Sequence, residues 1–339
     1  MLALAVAILY ALHSGRSLCV DWRDRAYGTW NENLFPQLFT LIGVKSVEVI
    51  PQSADVAPAC WCGRLHACLD DVRAEDLERG GVIWSGPAPP WDREVALARY
   101  SIDASKLDHP NEVVVMWSSG SLPGLLKTLK ERGRIDGKTT PEHIYRQVLR
   151  ENVKVDALVR ERIVEYTTNH FSGNRVVGVH CRRTEEAARS RLLASDWAYF
   201  VAVNSILKGA DDAVVFLATD NEGVEQAFVG RYGAARVLRT EKWLPDQGES
   251  IHMNANCPDS VRAAVDALID IYILAGCQHL VLSGGSSFSY IASWLSPLPA
   301  DRIKYVWPKR EYPLTRILSR LWRGVYDLTA GTALPGRHG

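Results

Sequence analysis

Two hydrophobic patterns alternate along the second half of this chain. Short, nearly continuous apolar runs lie at 176–180 (VVGVH), 214–219 (VVFLAT), 235–239 (ARVLR) and 279–283 (HLVLS). They read as strands buried on both faces. Between them, apolar residues recur at helical spacing over 195–207, with Ser195 as cap, and over 224–232, 258–275 and 288–295. Asp259 and Asp266 fall on the polar side of the third helix. Strands alternating with helices predict an α/β fold with a parallel sheet covered on both faces.

The first half is less regular. Residues 2–13 carry no charge and are rich in Ala and Leu, which predicts a core helix ended by Gly15. The run is too short for a bilayer, which needs about 20 apolar residues, and no basic segment precedes it as a signal peptide would require. A cytoplasmic protein without stable membrane insertion is expected, with a secretory signal or anchor at residues 1–13 as the alternative. Leu18 to Trp22, Val47 to Ile50 and Val113 to Trp117 read as strands, and 51–92 as an elaborated loop. Thr140 and Pro141 open a helix, or a pair of helices, that ends near Tyr166. The polar stretch at 167–174 suggests a boundary, giving domains at 1–170 and 171–310 and a C-terminal helix and tail at 311–339. A strand–helix–strand unit also needs a strand before the first helix. Its lack here leads to the expectation that the sequence starts late and that the first N-terminal strand is missing.

Lys plus Arg and Asp plus Glu both number 39, so the formal net charge is zero. Nothing global draws the chain to nucleic acid or anionic membranes. Seven scattered cysteines make a poor disulfide framework and suit a reducing compartment. Cys60, Cys62, His66 and Cys68 crowd one stretch but find no second paired half for zinc, so a loop with apolar thiols is the better reading.

Chemistry concentrates in three loops at strand ends: HCRRTEE from His180, TDNEG from Thr219 and SGGSSFS from Ser283. In open parallel sheets, ligands bind beyond the carboxyl ends of the strands. Arg182 and Arg183 offer fork-shaped cations that match a diphosphate. The Gly284-Gly285-Ser286-Ser287 turn opens a helix whose N–H groups and hydroxyls suit a phosphate oxygen. Asp220 or Asp270 could accept from a ribose or a purine. The dinucleotide fingerprint and the P-loop are absent, as is any Asp-x-Asp pair for a metal-bridged nucleotide sugar. A diphosphate held by Arg and a helix N-terminus, without metal, fits what remains.

GVHCRRTE (178–185), ATDNEG (218–223) and LIDIYILAGCQHLVLSGGSSFSYIA (268–292) resemble, in order, three blocks of the α-1,6-fucosyltransferases. GRSLCVDWRDRAYG and NENLFPQLF (15–39) resemble a stretch of bacterial members of that family. The resemblance implies a GT-B-like fold of two Rossmann-like domains, the C-terminal one binding GDP-fucose on its parallel sheet, with no cofactor and no metal. It implies Arg182 on the β-phosphate, His180 near the nucleotide and Asp270 on guanine or ribose. Ser286 or Ser287 would touch the phosphate; the loop is one residue out of register with the family, so both stay open. Asp220 matches the first Asp of the second block, and Asn221 replaces the second. Ser190 stands where the family has its catalytic Glu, leaving Glu185 and Glu186 as nearby candidates for the base. The implied reaction is inverting transfer of fucose to a hydroxyl of an oligosaccharide acceptor. The alternatives are a GDP-fucose enzyme of the α-1,2 type, or a degenerate, non-catalytic glycan- or nucleotide-binding relative.

Overall fold

The computed structural model describes residues 1–23, 32–69, 71–72, 99–117, 119–183, 194–208, 213–245, 251, 254 and 256–307. The chain divides into two compact units. The first comprises Met1–Arg23 and Asn33–Lys154, and the second takes up the chain from Val155. The expected C-terminal helix and tail at 311–339, and Glu185, Glu186 and Ser190, lie outside the described residues.

In the first unit, helix α1 (Leu2–Ser14) buries Leu4, Ala5, Val6, Ile8, Leu9, Tyr10 and Ala11, so the opening run is a core helix. Gly15 closes it in the left-handed region at φ 75°. Next come α2 (Phe35–Leu38), β1 (Phe39–Leu41), β2 (Val56–Ala57), β3 (Val113–Val114), α3 (Leu122–Glu131), α4 (Pro141–Asn152) and β4 (Val153–Val155). Thr140 caps α4 by accepting the His143 N–H at 3.2 Å, as its sequence predicts. β1 pairs with β4, and β2 runs parallel to β3.

Two strand expectations fail here. From Leu18 to Trp22 only Leu18 pairs, in an isolated bridge to Ser46. Asn33 takes the next backbone groups instead, accepting the Trp22 N–H at 2.9 Å and donating to the Val20 carbonyl at 2.7 Å. A side-chain amide that satisfies the backbone in this way replaces the ladder. Val47 to Ile50 forms no strand either. Val49 is 79% exposed, and the run stops at Pro51 without a partner on which to bury its apolar side.

The second unit holds the regular sheet. Its elements are α5 (Ala157–Phe171), β5 (Arg175–Cys181), α6 (Asp196–Leu207), β6 (Ala213–Thr219), α7 (Glu222–Tyr232), β7 (Val237–Leu238), α8 (Ser260–Ala275), β8 (His279–Ser283), α9 (Ser287–Leu295) and β9 (Ile303–Val306). All pairs are parallel, in the order β7-β6-β5-β8-β9. Val177, Val179 and Cys181 face the core under α6 and α7, with Val203, Leu217, Phe228 and Val281. On the opposite face Gly178 lies against Cys277, and His180 against Phe288 of α9. Ser195 holds the cap position of α6, although its hydroxyl makes no capping bond. Asp266 departs from its expected polar face. It is only 5% exposed and sits between Arg162 of α5 and Arg262, at 2.9 and 3.0 Å. Asp259 is the α8 cap, accepting the Arg262 N–H at 2.8 Å. Among the described residues, no helix is long and apolar enough to cross a membrane.

A Cβ on Gly178 would meet the Cys277 sulfur at 2.8 Å and a Leu280 methyl at 2.9 Å. Gly178→Ala should therefore overpack the sheet and cost about 1–3 kcal/mol, read as a lower urea midpoint with an unchanged slope.

Candidate active site

Within the second unit, the chain builds β5, β6 and β7 outward on one side. It then crosses back to place β8 and β9 on the other side of β5. The switch point of this doubly wound order lies between the carboxyl ends of β5 and β8, where such sheets bind ligands. Cys181 and Ser283 end these strands, and the arginine pair and the glycine–serine turn follow directly.

The Ser283 hydroxyl ties the two ends together. It has one hydrogen and two acceptor sites. The hydrogen goes to the His180 carbonyl at 3.1 Å, and the Arg182 N–H donates to the oxygen at 3.0 Å. The Tyr199 hydroxyl, at 2.6 Å, then donates the third bond. Tyr199 also lies under the Arg183 guanidinium, 5.5 Å from its ring centre. Sequence reasoning passed over Tyr199. The available signal was a hydroxyl on the buried face of an apolar helix, which needs a partner.

The arginine pair splits into two roles. Arg183 is spent inside the protein, with its guanidinium on Asp196 at 2.5 Å and its N–H on Asp220 at 2.7 Å. The Arg182 guanidinium bonds to no described residue, and its charge reaches His180 and Asp220. Burial pushes the Asp220 carboxyl above its ordinary value, opposed by the Arg183 N–H and by Arg182. Asn221 caps α7, accepting the Val224 N–H at 3.1 Å, which gives it a structural use where the resembled family has an Asp. Thr219 closes the β6 end by donating to the Cys181 carbonyl at 2.6 Å.

His180 shares a hydrogen bond with Ser289 at 2.7 Å and stacks on Phe288 at 4.4 Å. Burial, then Arg182 and Lys242, lower its pKa to about 3, so it is a neutral imidazole at physiological pH. Beyond it, Gly285 takes φ 80°, and the Trp307 ring fills the space that a Cβ on Gly284 would need. Ser286 caps the nine-residue α9, and its hydroxyl is buried without a hydrogen-bond partner. Ser287 is the first residue of that helix. An orphaned hydroxyl beside free helix N–H groups suits an incoming anion. Asp270 is buried on α8 with both oxygens engaged, by the Thr240 hydroxyl at 2.6 Å and the Lys242 ammonium at 2.5 Å. No group of three or more His, Cys, Asp or Glu side chains able to hold a metal ion occurs among the described residues.

The fold matches those of solved GT-B fucosyltransferases. The crystal structure of fucosyltransferase NodZ from Bradyrhizobium matches with a TM-score of 0.54 and 22% identity, over 87% of this chain and 88% of that one. NodZ α-1,6-fucosyltransferase crystallised with GDP matches to the same extent. POFUT1 in complex with GDP shares the fold at a TM-score of 0.50 and 11% identity, over 90% of this chain and 93% of its own. In sequence, nodulation protein Z of Azorhizobium caulinodans is 26% identical over 305 residues, 82% of this chain and 80% of that protein. No family model matches the chain. The relatives of this chain in sequence and fold are thus NodZ-type bacterial α-1,6-fucosyltransferases, as the three sequence blocks indicated.

The depressed His180 pKa has a stability consequence. Below about pH 6.5 the unfolded chain takes up a proton that the folded chain refuses until about pH 3. Stability conferred by neutral His180 is therefore complete above pH 6.5 and is lost as pH falls toward 3. Urea unfolding at a series of pH values should show wild type losing up to about 1.4 kcal/mol per pH unit more than His180→Asn across that window.

Proposed function

We propose that this chain is a metal-independent, inverting glycosyltransferase that moves fucose from GDP-fucose to a hydroxyl of an oligosaccharide acceptor. One observation carries the reading. At the switch point, a guanidinium without a partner among the described residues (Arg182) follows a strand end tied to Ser283, three residues before a buried, unpartnered hydroxyl at a helix N-terminus (Ser286). That combination is made for a diphosphate. The NodZ structures solved with GDP and GDP-fucose supply the donor by analogy.

In this mechanism Arg182 and the α9 N-terminus hold the β-phosphate. The acceptor hydroxyl attacks the anomeric carbon from the face opposite GDP. Negative charge grows on the β-phosphate as the bond to the sugar breaks, so a preplaced guanidinium stabilises the transition state more than the ground state. Ser286 takes the phosphate contact, because the Ser287 position already lies inside the helix. Asp270 meets guanine or ribose, and neutral His180 lines the nucleotide site. Arg183 acts at one remove, by fixing Asp196, Asp220 and Tyr199 around the Arg182 backbone. Glu185 or Glu186 removes the acceptor proton.

Arg182→Ala should abolish transfer, and Arg182→Lys should restore it only weakly, since a point charge cannot reproduce the fork. Steady-state rates with GDP-fucose measure both; near-normal turnover of Arg182→Lys would remove Arg182 from the role. For the base, Glu185→Gln and Glu186→Gln should both retain GDP binding by calorimetry, and one should lose about 10²–10⁴ in turnover. Full activity in both variants would assign the base elsewhere.

A further inference from the structure

Asp270 is a carboxylate with a side chain only 3% exposed, paired with an ammonium, Lys242, only 7% exposed. The two belong to different segments. Asp270 sits on α8, and Lys242 and Thr240 follow β7. Burying both charges is costly and is offset only when the pair is close and well bonded. Here Lys242 Nζ lies 2.5 Å from Oδ2 and Thr240 Oγ1 lies 2.6 Å from Oδ1. The other titratable groups facing Asp270 are Tyr166 of α5, whose hydroxyl is raised above its ordinary range, and Glu225 of α7, whose carboxyl is raised by burial. Neither supplies positive charge. Around Lys242 stand His180, Asp220 and Glu225, so its cation lies amid the groups of the candidate site.

The hydrogen-bond capacity of the pair is only half used. An ionised carboxylate offers about four lone-pair sites, and two are taken. What remains on Asp270 is acceptor capacity, on both oxygens.

We propose that Lys242 is a positioning residue for donor recognition: its ammonium holds the Asp270 carboxylate in one orientation, so that the free lone pairs accept from the nucleoside of the bound nucleotide sugar. The proposal rests on the reading of this crevice as a GDP-sugar site. A purely structural pair would be replaceable by neutral groups without consequence for ligand binding. A positioning pair would not be, and its loss is rescued when a cation is put back at position 242.

The test titrates GDP into the full chain by calorimetry at one fixed pH. Lys242→Gln keeps an N–H for the carboxylate but removes the charge, and it should weaken GDP about tenfold or more. Lys242→Arg, which restores a cation to Asp270, should recover most of the affinity. Lys242→Gln combined with Asp270→Asn should be no weaker than Asp270→Asn alone, because the two act through one contact. Unchanged GDP affinity in Lys242→Gln, or no recovery in Lys242→Arg, overturns the proposal. Should Lys242→Gln fail to fold, Lys242→Met with Asp270→Asn buries no charge and carries the test; wild-type affinity in that variant overturns it. Failure of the wild-type chain to bind GDP is a separate result, and it overturns the donor reading itself.

Discussion

A parallel strand hydrogen-bonded along both edges and buried on both faces can place polar chemistry only where it ends. β5 is such a strand, flanked by β6 and β8, with Val177 and Val179 inaccessible on one face and Gly178 pressed against Cys277 on the other. Everything that could touch a ligand is driven to the few residues after its last ladder bond. The same constraint makes those residues rigid. The backbone of Arg182 emerges from a fixed strand and is caught at once by the saturated Ser283 hydroxyl. Preorganisation of this kind makes a cation useful at the moment charge develops.

The legibility of the sequence follows the same physics. Strands β5, β6 and β8 were readable because burial on both faces leaves continuous apolar runs, and their loops were readable because glycines, serines and arginines interrupt those runs. The strand expected at Leu18 to Trp22 failed because Asn33, eleven residues away from Trp22, takes its backbone groups, a pairing no local pattern encodes. Asp266 looked like a surface residue because hydrophobic period alone does not announce a charge clamped between two arginines. At the site, the pattern found the two arginines but could not divide their labour. That division depends on Asp196 and Tyr199, which come from the following helix. Nor could it separate two adjacent serines, which differ in the structure: the Ser286 hydroxyl is buried without a partner, and Ser287 is exposed.

Charge in this unit is spent with economy despite the overall neutrality. Arg183, Arg162, Arg262 and Lys242 are each committed to a carboxylate inside the protein. Against that background the Arg182 guanidinium, which bonds to no described residue, stands apart. The neutral state of His180 fits the same arrangement: a second cation beside Arg182 would repel it, and the stack on Phe288 holds the ring where burial keeps it uncharged.

The contact between Gly284 and Trp307 sets a rule for anyone who would recombine these proteins. Trp307 follows β9, twenty-three positions along the chain, yet its ring occupies the space that any side chain at position 284 would need. The turn and the residue after the neighbouring strand are therefore one module written in two places. A chimera that imports a bulkier turn without exchanging the tryptophan, or the tryptophan without the glycine, would bring two solid surfaces into collision at the end of β8. Transplanted together, they would travel as a lock with its key.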